Sequence, residues 1–384
     1  MALVYFVPLL LNHAYASSNC DFPAIFNFGD SNSDTGGYGA AFQPPTKPNG
    51  ETFFRQPVGR FSDGRLIIDF LAEGLGLPYL HAYLDAVGPN FTNGVNFTTA
   101  ASTILPQRNV LPLGGFSPFS LNLQYIQFTR LRNNSHFIFN HAKGENFFVK
   151  RVFDYLLPKK DYYSRALYTF DIGHNDMTAA LFANMSISEV RGLTPYMVGN
   201  LSATVKSVYN EGGRSFWIQN TDPSGCLPYL LVNLAVPPSQ IDSVGCAIPY
   251  NNLSQFYNDK LREAVLQLCS DLPLAAITYV DIYSVKYSLI SQAHKYGFEK
   301  PLVACCGYGG DQFNYSPQAQ CGGTIKANGA QVFVGSCDKP SVRVNWDGVH
   351  YTEAANKFVF DQIVNGNFSD PPFSLRMACH RKAN

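Results

Sequence analysis

Two short motifs at opposite ends of this 384-residue chain constrain its fold more than any other feature: Phe28-Gly29-Asp30-Ser31 and Asp347-Gly348-Val349-His350. A serine hydroxyl is a weak nucleophile at neutral pH, so an imidazole must take its proton and an acid must hold that imidazole in the right tautomer. Asp347 and His350, three residues apart, converge on one turn. The carboxylate then receives the Nδ1 proton and Nε2 is left for Ser31. Such a triad needs position 31 beside position 350, so a chain long enough for two or three domains is expected to close as one, spanning residues 17–384.

Apolar strand-like runs at 24–28, 166–170, 216–219 and 275–280 alternate with helical patterns. One helical stripe carries Leu253, Phe256, Tyr257, Leu261, Val265 and Leu268. Other helices are expected at 67–74, 190–210 and 352–364. Strands alternating with helices imply an α/β fold in which a parallel sheet is covered on both faces. Ligands of such sheets bind beyond the carboxyl ends of the strands, where Ser31 would lie.

Two further turns follow apolar runs. Asp171-Ile172-Gly173-His174-Asn175-Asp176 offers the Asn175 amide to a developing oxyanion, and Gly94-Val95-Asn96-Phe97 offers a glycine whose bare backbone N–H a substrate could approach. Taken singly, each is an ordinary strand-to-loop junction. Gly-x-Ser-x-Gly, a phosphate loop and His-Glu-x-x-His are absent.

The order of the four blocks, Phe28 to Gly37, Gly94, Gly173 to Asp176 and Asp347 to His350, resembles the plant GDSL esterase/lipase family of the SGNH hydrolases. Gly59-Arg60-Phe61-Ser62-Asp63-Gly64-Arg65, Gly225-Cys226-Leu227-Pro228 and Cys305-Cys306-Gly307-Tyr308-Gly309-Gly310 are similar too, most of all to the early-nodulin-like and latex esterase subgroup. The likeness covers nearly everything beyond about Cys20. It implies a three-layer α/β/α, flavodoxin-like fold, with Ser31 as nucleophile, His350 as general base and Asp347 as its orienter. The oxyanion hole would combine the Ser31 and Gly94 N–H groups with Asn175. Asn32 departs from the leucine of the family name, and His174 fills a variable place, read here as a wall or hydrogen-bonding residue.

The expected activity is that of a secreted carboxylesterase. Its expected substrate is a short-acyl, acetyl-type ester of a glycoside, cell-wall sugar or specialised metabolite, cleaved through an acyl-enzyme. An acyltransferase would use the same residues. Asp30 and Asp34 flank the serine while Asp171 and Asp176 flank Asn175, so a glycosidase acid/base pair is a further alternative, although Asx side chains in turns commonly bind nearby backbone N–H groups. A silent carbohydrate-binding glycoprotein would need no triad.

The 28 basic and 28 acidic residues balance, which gives no basic face for nucleic acid. An apolar start followed by Ala14-Tyr15-Ala16 reads as a signal peptide over 1–16, too short to span a bilayer. Together with eight N-glycosylation sequons, at Asn90, Asn96, Asn133, Asn184, Asn200, Asn252, Asn314 and Asn367, it points to the apoplast or a vacuole, with N-linked glycans attached. Asn96 is the least suited to carry one. Nine cysteines without Cys-x-x-Cys spacing argue for disulfides and against a metal site; no cofactor is called for. Cys226 and Cys246 suit one bridge and Cys20 and Cys379 another. Cys305, Cys306, Cys321 and Cys337 allow three pairings. Cys269, in a helical pattern, is expected to be a small buried hydrophobe.

Overall fold

The computed structural model describes residues 19–107, 117–141, 152–310 and 312–379; the expected signal segment and most of the Pro- and Gly-containing stretch 105–119 lie outside them. Five parallel strands form the core: β1 (Ile25–Gly29), β2 (Gly94–Asn96), β3 (Leu167–Asp171), β4 (Ser215–Gln219) and β5 (Ala276–Val280). A hairpin of β6 (Thr324–Ala327) and β7 (Ala330–Phe333) stands apart, and β8 (Ser369–Asp370) closes the main sheet antiparallel to β5. The order β2-β1-β3-β4-β5-β8 is that of a flavodoxin-like sheet with one added edge.

Every residue of β1, β3 and β4 is buried, as continuous apolar runs require when both sheet faces are covered. Alternation then sorts the side chains. Phe26, Phe28, Tyr168, Phe170, Phe216 and Ile218 enter one core, where Phe28 stacks on Phe170 at 4.9 Å between ring centroids. Ile25, Leu167, Trp217 and Val280 enter the other. Helices α2 (Leu121–His141), α3 (His174–Phe182), α4 (Ile187–Asn210) and α5 (Ile248–Asp271) cover the first face. Helices α1 (Ile67–Leu75), α6 (Ile282–Ser291) and α7 (Glu353–Ile363) cover the second. The expected three layers are present.

Four strands and four helices fall within a few residues of their expected bounds. α2 has no sequence counterpart, because its buried face includes Gln124, Gln127 and Ser135 and shows no apolar stripe. Its polarity has a use: the Gln124 amide accepts from Gly29 N–H at 2.9 Å and donates to Gly29 O at 2.8 Å, fixing the end of β1.

Disulfides join Cys20–Cys379 and Cys226–Cys246, and the four-cysteine cluster resolves as Cys305–Cys337 and Cys306–Cys321. Cys269 is exposed rather than buried, since it follows Leu268 and points off the apolar stripe of α5. Asn96 is 1% exposed, and its amide donates to Ser33 O and Thr35 Oγ1, leaving no room for a glycan. Among the described residues no helix is long and apolar enough to cross a membrane.

Candidate active site

Ser31 follows β1 at the carboxyl edge of the sheet and is 7% exposed. Its loop is wound tightly: the Asp30 carboxylate accepts from Asn32 N–H at 3.0 Å and Asp30 O from Ser33 N–H at 3.1 Å. Gly29 is obligatory there, because a Cβ would lie 2.5 Å from Asp171 O on the neighbouring strand. Asp34 then accepts from the N–H groups of Gly36, Gly37, Tyr38 and Ala100 at 2.6–3.0 Å, which binds the loop to the segment after β2.

Asp347 and His350 meet as expected, on a turn just before α7. His350 Nδ1 lies 2.6 Å from Asp347 Oδ2, while Asp347 Oδ1 accepts from the N–H groups of Val349 and His350. Burial opposes ionisation of Asp347, but the charge of His350 and these hydrogen bonds outweigh it and hold the carboxyl below its ordinary range. His350 Nε2 is buried and has no hydrogen-bond partner among the described residues, so no bond yet joins it to Ser31. Apo catalytic contacts are commonly this loose. The two ends of the chain do meet: the Asp30 carboxyl, next to Ser31, interacts electrostatically with His350.

Three other segments brace this turn. Gly348 adopts φ +99°, and a Cβ on it would come within 2.2 Å of the Tyr315 ring, while its carbonyl accepts from Tyr229 N–H. Cys305 and Cys306 N–H donate to Asn345 O and Trp346 O. Trp346 Nε1 donates to Asn49 Oδ1, Ser62 Oγ to Tyr351 O and Glu353 N–H to Asp63 Oδ1, while Phe61 packs on the His350 ring. Thus part of the Pro- and Gly-rich stretch 43–61 braces the histidine turn.

Asn175 sits in the first turn of α3, directly after β3, and its amide donates to Ser102 O at 3.0 Å. Gly94 is not at the site, and its place in the expected oxyanion hole is corrected here. It pairs with Ile25 at the amino end of β2, the far end of the sheet from Ser31, and its N–H donates to Phe91 O. Its bareness serves close packing, since a Cβ would lie 1.8 Å from Ile25 O. Ala101, not Gly94, lies beside the nucleophile loop. Ala100 N–H reaches Asp34 on the nucleophile loop and Ser102 O receives Asn175, so Ala101 lies between the two. Ala101 has φ +62°, a conformation that favours glycine, and its N–H, like that of Ser31, makes no hydrogen bond among the described residues. The small run Thr98 to Ser102 was the available signal.

The sequence model of the GDSL-like Lipase/Acylhydrolase family matches residues 25–363. The chain belongs to this family. At 54% identity it is similar to "Esterase" of Hevea brasiliensis, over 98% of this chain and 94% of that one. It is 51% identical to "GDSL esterase/lipase ENOD8" of Medicago truncatula over 100% and 96%. It is also 48% identical to "Alpha-L-fucosidase 3" of Arabidopsis thaliana over 94% and 93%. As a GDSL hydrolase it is an ester-hydrolysing enzyme of the plant type.

In this GDSL hydrolase two of the four carboxylates flanking Ser31 and Asn175 are occupied by backbone. Asp34 is saturated by four N–H donors, and Asp176 accepts from Ile104 and Leu105 N–H at 2.8 and 2.9 Å. Burial nevertheless pushes Asp34 up to about 6 and Asp176 up to about 7. Among the described residues no cluster of His, Cys, Asp and Glu could hold a metal ion.

Proposed function

We propose that this enzyme is a secreted serine carboxylesterase, a single domain over 17–384, that deacylates short-chain esters of sugar-bearing or otherwise polar molecules. The observation that carries the chemistry is the 2.6 Å Asp347–His350 contact, which leaves a buried, unpartnered Nε2 at the sheet edge to which β1 delivers Ser31. Nε2 takes the Ser31 proton as Oγ attacks the ester carbonyl, and returns it to the leaving alcohol. Charge on the tetrahedral oxygen is met by the N–H groups of Ser31 and Ala101 and by the Asn175 amide. A second attack by water on the acyl-enzyme releases the acid and regenerates Ser31. If an alcohol attacks instead, the same residues make an acyltransferase.

Four disulfides and six exposed sequons, at Asn90, Asn133, Asn184, Asn200, Asn252 and Asn367, favour the secretory pathway. The backbone-saturated Asp34 and Asp176 argue against a glycosidase pair. The test is turnover of acetate, butyrate and palmitate esters, then of acetylated glycans and glycosides, by wild type and Ser31→Ala. Loss of the nucleophile should lower turnover on the order of a millionfold without change in Tm. Wild-type rates in the variant would overturn the assignment, and a preference for palmitate would make the enzyme a lipase.

A further inference from the structure

The carboxyl edge of the sheet buries a second histidine–aspartate couple that this mechanism leaves unused. His174 opens α3 immediately before Asn175, Asp222 follows β4, and Lys286 comes from α6. His174 Nδ1 lies 3.1 Å from Asp222 Oδ1 and 3.2 Å from Ser224 Oγ, and Lys286 Nζ lies 3.6 Å from Asp222 Oδ2. The three side chains are 7%, 3% and 1% exposed. Ser224 Oγ already accepts from Ser254 Oγ at 2.8 Å, and the Lys286 ammonium lies over the Tyr351 ring at 4.2 Å.

The charges around His174 come from every neighbouring element. Asp30 belongs to the loop after β1, Asp171 to the end of β3, Asp222 to the loop after β4 and Lys286 to α6. Asp222 is the carboxylate in contact with the ring, while burial pushes Asp30 and Asp171 toward their neutral forms. Burial and the amino end of α3 both work against a cation at this point. Asp222 and then Asp30 outweigh burial and draw His174 above its ordinary range, while Asp222, itself opposed by burial, is held well below its own by His174 and Lys286.

We propose that His174 is a positioning residue for ester turnover: hydrogen-bonded to Ser224 and in ion-pair contact with Asp222, it anchors the first turn of α3, and so aims the Asn175 amide at the oxyanion. This inference rests on the reading of Asn175 as an oxyanion donor. The same turn is also held by the bond from Asn175 to Ser102 O and by Asp176, which accepts from Ile104 and Leu105 N–H, and His174 adds a third hold, from the loop after β4. When His174 loses its proton, the pull of Asp222 on that turn weakens, and transition-state stabilisation falls with it. Turnover therefore falls with alkalinity as His174 is discharged.

The test is kcat and KM against pH for the full chain and for His174→Gln, which keeps a donor but not the charge. We expect kcat on the order of tenfold lower, with KM little changed and the alkaline limb gone. In parallel, an NMR titration of the wild-type protein, with each imidazole assigned through its own backbone, should show the His174 ring still protonated where exposed histidines are neutral. That measurement decides the matter if the variant does not fold. A wild-type alkaline limb and kcat in His174→Gln, or a neutral His174 ring at neutral pH, would overturn the proposal. If Ser31→Ala is inactive while His174→Gln behaves as wild type, only this inference fails; an active Ser31→Ala would remove the underlying reading as well.

Discussion

The enzyme holds two histidine–aspartate couples on one edge of one sheet, and they differ in what surrounds the ring. His350 and Asp347 share a turn, and the far ring nitrogen of His350 has no hydrogen-bond partner among the described residues. His174 and Asp222 come from the ends of neighbouring strands, with Ser224 and Lys286 pressed against them. An imidazole with a free nitrogen can exchange a proton with substrate. One tied to an ionised aspartate backed by an ammonium is suited to anchoring. The same pair of residue types thus becomes a base or an anchor according to its third and fourth neighbours.

Replacing the two aspartates should separate the roles most sharply. Asp347→Asn should lower kcat by roughly ten thousandfold through the wrong tautomer, with little change in Tm. Asp222→Asn leaves Lys286 buried and unpaired, so it should cost about 3–5 kcal/mol of stability and a much smaller share of activity. Urea unfolding and ester kinetics on both variants would check this. Equal losses of kcat would abolish the contrast.

Next in size is the residue that the second couple is proposed to aim. Asn175→Ala should lose about 3 kcal/mol of transition-state stabilisation in kcat, since its amide meets charge that exists only during attack. A defect confined to KM would make Asn175 a binding residue and detach His174 from catalysis.

Smaller effects distinguish the two positions considered for the third oxyanion donor. Ala101→Gly relieves a left-handed alanine and should raise stability by about 1 kcal/mol, whereas Gly94→Ala, with a Cβ 1.8 Å from Ile25 O, should lower Tm. Thermal melts of both would show opposite signs. If Gly94→Ala instead kept its Tm and lost kcat, Gly94 would return to the site.

Stability should also vary with pH. Burial raises Asp171 and Asp176 to about 7 and Asp34 and Asp63 to about 6. The folded protein therefore binds these protons more tightly than the unfolded chain does. Their stabilisation is complete below about 4, the ordinary aspartate value, and is lost as pH rises through 6 to 7. Asp347 and Asp222, held low, act in the opposite sense, losing their contribution as pH falls below that ordinary value. Tm should be highest in mild acid; a Tm that climbs steadily into mild alkali would contradict these directions.

Much of the scaffold was legible because it is local. The run expected at 24–28 is β1 (Ile25–Gly29), and the stripe from Leu253 to Leu268 is the buried face of α5 apart from the half-buried Phe256. α2 was not legible, since a helix that buries Gln124 to hold Gly29 shows no apolar period. Gly94 misled because bareness marks close packing as readily as catalysis. Ala101 was overlooked because nothing in the residue type announces a positive φ.

The sequence alone determined the groups available for the reaction and the Asp347–His350 contact, because three residues of covalent chain and two backbone N–H bonds bring that carboxylate to that ring. Only the tertiary structure decided which backbone N–H stands beside the nucleophile loop, how Cys305, Cys306, Cys321 and Cys337 pair, and that His174 meets Asp222. Those outcomes depend on strand order and on close packing between distant segments, which no spacing along the chain encodes.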